Sequence, residues 1–130
     1  KPLGEANFTH MYHALARTAK FRSWSFTLSK PEVRLLTSQS CQYCKKPPQN
    51  VHDDKRLHGR YVYNGLDRVD NTKGYNIDNV VPCCLRCNQA KNDMSVLEFR
   101  NWVGRVYTHF YATKVSVTHF PAVKVGTEGV

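Results

Sequence analysis

Four of the five cysteines fall into two pairs, Cys41-x-x-Cys44 and Cys84-x-x-Cys87, with 39 residues between the pairs. Each knuckle sets two thiolates on one side of a tight turn. Together the knuckles supply the four soft ligands of a tetrahedral Cys₄ zinc site. No other feature constrains the fold as much. Whatever lies between the knuckles has to leave the first and come back to the second. The competing use of paired cysteines is disulfide bonding in a secreted domain. An odd fifth cysteine argues against it, as does a start, KPLGEANFTHMYH, that lacks the apolar stretch of a secretory signal. The leftover Cys83 reads as a small buried apolar side chain beside the ligand Cys84.

A chain of 130 residues with 41% hydrophobic content fits one domain with a modest core. A domain of that size gains from a structural metal. The chain divides into a basic helical segment over 1–40, a zinc-bound core with a C-terminal helix over 41–111, and a tail over 112–130, all in one structural domain. No run approaches the roughly 18 apolar residues of a membrane span. An intracellular location, in cytoplasm, nucleoid or nucleus, is expected. The net charge is +9, from 19 basic and 10 acidic residues. That balance calls for a polyanionic partner, and nucleic acid is the commonest.

Apolar residues at helical spacing (Phe8, Met11, Leu15, Ala19) predict a helix over 6–21, with Arg17 and Lys20 on its other face and Arg22 just beyond. Trp24, Phe26 and Leu28 alternate in an extended link. Ser29 and Glu32 form a capping box with Pro31 near the start, predicting a short helix over about 30–38 that delivers the chain to the first knuckle. Residues 45–60 are polar, with a Pro pair, and read as a loop. The aromatic stretch 61–67 reads as a strand, VDNTKGYN as a tight turn or compact loop, and 79–82 as a returning strand. The second knuckle opens into a helix. Ser95 and Glu98 cap a last helix whose Phe99, Trp102, Val103, Val106 and Phe110 share one face, expected to pack on a core. The tail from Val115 alternates weakly (Val115, Val117) and then turns Gly-rich, which suits either an edge strand or a loose end.

Strand, turn, strand and helix bracketed by two zinc knuckles resemble the HNH family of nucleases, which use a small ββα-metal core. The resemblance covers about residues 41–99. It is carried by Cys41, Cys44, Asp67, Asn79, Cys84, Cys87, Asn88 and Lys91. It implies an α+β fold: a small zinc-stabilised ββα-metal (HNH) core with flanking helices. It also implies a DNA endonuclease that hydrolyses phosphodiester bonds. Such chemistry needs a nucleophile and something to absorb charge on the phosphate and the leaving oxygen. A hard cation such as Mg²⁺, which takes oxygen ligands and keeps several waters, meets the second need. By resemblance, Asp67 and Asn88 bind that cation and Asn79 ties down the loop between the strands. Zinc on four thiolates has no open position and is structural. Lys91, one turn after Asn88, is expected to contact phosphate.

One position departs from the usual pattern. Where the family commonly has a His general base directly after the Asp, this chain has Arg68, which stays protonated and cannot accept the proton. A minority branch, including some rare-cutting restriction enzymes, is similar in carrying Asp-Arg. There the Arg is taken to hold the scissile phosphate, and upstream Tyr or His residues activate the nucleophile. Arg68 is then an electrostatic clamp, which guanidinium geometry suits. His10, Tyr12, His13, His58, Tyr61 and Tyr63 are the candidates for activation. Two other readings compete: a zinc-stabilised module that binds DNA without cutting it, and a zinc-stabilised interaction module with no nucleic-acid partner.

DNA is the expected partner, with Arg17, Lys20 and Arg22 tracking its backbone. The sequence names no target. A restriction-type enzyme would form a homodimer to cut both strands, whereas a homing-type nickase or phage packaging-type nuclease works as a monomer or within a larger assembly.

Overall fold

The structure, a computed structural model, describes residues 2–112. Its elements run α1 (Glu5–Phe21), α2 (Lys30–Thr37), β1 (Asn50–His52), β2 (Tyr61–Tyr63), β3 (Gly65–Arg68), β4 (Val80–Cys83), α3 (Leu85–Lys91) and α4 (Val96–Ala112). They make a small α+β protein. Residues through Ser95 form one compact unit, and a second begins at Val96.

Helix α1 buries Phe8, Met11 and Ala19. These side chains join Leu28, Val33, Leu66, Tyr75 and Val80 in the main core. The Asn7 side chain, also buried, pins the loop after β1. Its amide donates to Gly59 O at 2.6 Å, and its oxygen accepts from the Asp54 amide at 2.9 Å. Helix α2 starts at the expected capping box: Ser29 Oγ accepts from the Glu32 amide, and Glu32 Oε1 accepts from the Ser29 amide. A box of this kind stabilises a helix end by about 1 kcal/mol.

Two two-stranded antiparallel ladders follow. In the first, β1 pairs with β2, Asn50 opposite Tyr63 and His52 opposite Tyr61. Alternation along both strands puts Asn50, His52, Tyr61 and Tyr63 on one face. In the second, β3 pairs with β4, Gly65 opposite Cys83 and Arg68 opposite Val80. This is the hairpin whose return leads into α3.

The strand expected over 61–67 is therefore two strands in two sheets. Asn64 divides them. Its backbone amide donates to Thr37 O at 2.8 Å, and its side-chain amide to Gln39 O and Lys46 O. Those bonds turn Asn64 toward α2 and the first knuckle. The expected loop over 45–60 also contains a strand, β1, which its polar composition concealed.

The loop between β3 and β4 docks on the link after α1. Tyr75 donates its amide to Ser25 O at 2.8 Å, and Thr27 donates to Tyr75 O at 3.0 Å. Gly74 permits this approach, since a Cβ there would come within 2.7 Å of the Ser25 nitrogen.

Helix α4 forms directly after Ser95, where the last helix was expected. Phe99 is buried, but Trp102, Val103 and Val106 keep 39%, 45% and 39% of their surface exposed. Val115 and Val117 lie outside the described residues.

Candidate active site

The two knuckles meet. The Sγ atoms of Cys41, Cys44, Cys84 and Cys87 all lie within 4.8 Å of one another, and Cys44 Sγ is 3.7 Å from Cys84 Sγ. Thiolates on a tetrahedral zinc ion, with bonds of about 2.3 Å, stand roughly 3.8 Å apart. The donor set fits such an ion. The first knuckle turns through Lys45, which adopts a left-handed φ of 67°. It is stitched to β4 where the Gln42 amide donates to Pro82 O at 2.8 Å. Cys83 is outside the cluster. It is fully buried, its Sγ donates to Cys84 O at 3.4 Å, and burial pushes its thiol well above the usual range.

The hairpin brings strand end and helix start to one place. Asp67 on β3 and Asn88 on α3 line a cavity of about 550 Å³, together with Arg68, Arg22 and Trp24. Arg68 is fixed there. Its Nη1 donates to Asn71 O at 3.0 Å and Lys73 O at 2.7 Å, and its guanidinium stacks 3.2 Å from the centre of the Trp24 ring. Arg22 approaches the same indole at 5.5 Å. Two carbonyls use only part of a guanidinium's five donors. The cavity wall thus carries two permanent positive charges beside a carboxylate and an amide.

Asp67 is only 4% exposed. Its Oδ2 accepts from the Tyr43 hydroxyl at 2.7 Å and lies 3.2 Å from Lys91 Nζ. Lys91 Nζ is 3.4 Å from Oδ1. This corrects the expectation for Lys91. Its side chain has no exposed surface, so it faces the carboxylate instead of a phosphate. Burial, then the bond to Asp67, raises the Tyr43 phenol far above its usual value, so it remains a donor.

Asn79 is buried and holds the β3–β4 loop closed. Its Nδ2 donates to Gly74 O at 2.9 Å and Asp70 O at 3.1 Å, and its Oδ1 accepts from the Asp70 amide at 2.9 Å. The position supports the loop and does not line the cavity. Of the three basic residues expected to track a DNA backbone, Arg22 reaches the cavity, while Arg17 and Lys20 are exposed on α1.

A second cavity, of about 310 Å³, lies behind Asn88 and is lined also by Asn50, His52 and Tyr63. It sorts the candidates for nucleophile activation. Tyr12 donates to Leu28 O. Tyr61 bonds Thr37 and packs edge-on against Phe8. His13 is exposed beside the Tyr12 ring, and His58 is exposed. Tyr63 is the candidate that shares a cavity with Asn88. His10 Nδ1 lies 2.8 Å from His52 Nε2, joining α1 to that cavity through a residue that sequence reasoning passed over. His52 was hidden because it sits in a segment with loop composition. Tyr43 was hidden inside a knuckle, where only the cysteines draw notice.

No family model matches the chain. Over 97 residues, 73% of its length, the chain is 33% identical to an uncharacterized protein of Acanthamoeba polyphaga mimivirus, and it spans 16% of that protein. Its fold is similar to that of the rare-cutting HNH restriction endonuclease PacI. The TM-score is 0.55 at 19% identity, with 84% of this chain and 82% of that chain covered. The HNH resemblance drawn from the residues is thus matched by a likeness of fold. Among the described residues no helix is long and apolar enough to cross a membrane.

Proposed function

We propose that the chain is a metal-dependent DNA endonuclease whose ββα hairpin carries the site. The supporting observation is that Asp67, Arg68 and Asn88, from a strand end and a helix start, line one cavity. The carboxylate of Asp67 and the amide oxygen of Asn88 would hold a divalent cation such as Mg²⁺. Such an ion, when bound, stabilises charge on the phosphate and on the departing oxygen. Arg68, held on Trp24, grips a non-bridging phosphate oxygen, and Arg22 adds charge beside it. Asn79 keeps the loop that carries the Arg68 contacts in shape. The four cysteines hold structural zinc. Attack on phosphorus requires removal of a proton from the nucleophile, and the β1–β2 face offers Tyr63 and His52, with His10 bonded to His52. Arg17 and Lys20 extend the basic surface along the DNA backbone, which suits an intracellular setting. A single hairpin site cuts one strand, so cleavage of both would take two copies.

The non-cleaving DNA-binding module is retained as a second reading on one observation. Lys91 already balances the charge of Asp67 at 3.2 Å. Supercoiled plasmid separates the two. Nicking that requires Mg²⁺, stops with EDTA and is lost in Asp67→Ala and Arg68→Ala supports the endonuclease. A gel shift at low salt without nicking under several divalent metals supports the binding module.

A further inference from the structure

Asp67 is held from two directions by side chains to which no part of the reaction has been given. Tyr43 lies inside the first knuckle, directly before Cys44. Its hydroxyl reaches Asp67 Oδ2 at 2.7 Å. Lys91 closes the helix that the second knuckle opens. It meets the same oxygen at 3.2 Å and Oδ1 at 3.4 Å. Each donor therefore comes from one knuckle segment, and the carboxylate lies between them. An Asp carboxylate turns easily about its last torsion, because that torsion is broad and roughly two-fold. The Tyr43 hydroxyl on Oδ2, with Lys91 straddling both oxygens, stops that rotation. Oδ1 accepts from Lys91 Nζ at 3.4 Å and keeps a further lone pair for another ligand.

We propose that Tyr43 is a positioning residue: it fixes the Asp67 carboxylate so that Oδ1 is presented to a divalent cation. Through it the orientation of the cation ligand depends on the four-cysteine cluster. The inference rests on the reading of Asp67 as a cation ligand. Magnesium-type ions demand near-octahedral geometry and give up water reluctantly, so the orientation of a few protein oxygens governs how well such a site binds. Residues that hydrogen-bond a metal ligand commonly change metal affinity by roughly 10–100-fold when removed. Tyr43 offers a clean deletion. Phenylalanine keeps the ring inside the knuckle and removes only the hydroxyl.

The test uses the whole chain with zinc bound and Mn²⁺ as the probe, the free ion being followed by its electron paramagnetic resonance signal. Tyr43→Phe is expected to keep a full complement of zinc and an unchanged fold by circular dichroism, and to weaken Mn²⁺ binding by about tenfold or more. Asp67→Asn is expected to abolish that binding. If Asp67→Asn binds Mn²⁺ like the native chain, the cation-ligand reading fails and the inference goes with it. If Asp67→Asn loses the ion but Tyr43→Phe binds it like the native chain, the positioning role alone is overturned. Should Tyr43→Phe lose zinc, 3-fluorotyrosine placed at position 43 alone replaces it. Its fluorine resonance is expected to move as Mg²⁺ is added and to stay fixed in the Asp67→Asn background. A resonance indifferent to Mg²⁺ with Asp67 intact overturns the inference.

Discussion

The Lys91 ammonium lies 3.2 Å from Asp67 Oδ2, with the two side chains 0% and 4% exposed. Removing one partner of a buried ion pair strands the other charge and costs about 3–5 kcal/mol. Lys91→Met is therefore expected to lower the unfolding free energy by about that much in a urea titration with zinc present. Adding Asp67→Asn to it is expected to recover part of the loss, because no charge is then left unpaired. Additive losses in the double variant would show that the two side chains are not coupled.

Among the described residues, the thiol cluster is where a metal would tie the chain before β1 to the start of α3. Zinc binding in small domains is in large part folding free energy. Stripping the ion with a strong chelator, or replacing Cys84 by Ser, is expected to abolish cooperative thermal unfolding followed by circular dichroism. The Cys83→Ser chain is expected to retain zinc, since that thiol stands outside the cluster.

Asn79 makes three hydrogen bonds across the β3–β4 loop while 4% exposed. Asn79→Ala leaves the Asp70 amide and two carbonyls without these partners. At about 1–3 kcal/mol for a buried group left unsatisfied, a loss of roughly 2–3 kcal/mol is expected in chemical denaturation. Faster amide exchange should be confined to residues 69–79.

Much of this architecture was legible in the sequence, because the signals were local and strong. The knuckles, the Ser29–Glu32 capping box and the apolar spacing of α1 each report a short-range geometry that survives in the fold. The hairpin and α3 were legible by resemblance, and the likeness of fold agrees. What escaped depends on contacts distant in sequence. Asn64 splits one apparent strand because Thr37, Gln39 and Lys46 capture its amides. β1 exists because β2 pairs with it, not because of its own composition. Lys91 looked like a surface cation one turn from Asn88, but the turn carries it inward to a carboxylate 24 positions earlier in the chain. Tyr43 was invisible for the same reason.

Burial raises the phenols of Tyr63 and, against a smaller opposing effect of Arg68, of Tyr75. An acid whose folded value is raised favours the neutral form. Its contribution to stability is complete below the unfolded value of about 10 and is lost as pH climbs toward the folded one. Stability is thus expected to fall above about pH 10. Phenolate absorbance should titrate in two steps, exposed tyrosines first and Tyr43, Tyr63 and Tyr75 with unfolding. A single step at the ordinary tyrosine value would contradict this burial.

Cation-dependent hydrolysis at the Asp67–Arg68–Asn88 cavity is the central claim. The most direct measurement is single-turnover cleavage of end-labelled duplex DNA as Mg²⁺ is raised from zero, with the native chain and Asp67→Ala side by side, both checked for bound zinc. No product is expected without Mg²⁺, with a rate that rises to saturation as it is added and no saturable rate in Asp67→Ala. Cleavage by the native chain at the same rate in excess EDTA, or by Asp67→Ala at the native rate, would contradict it.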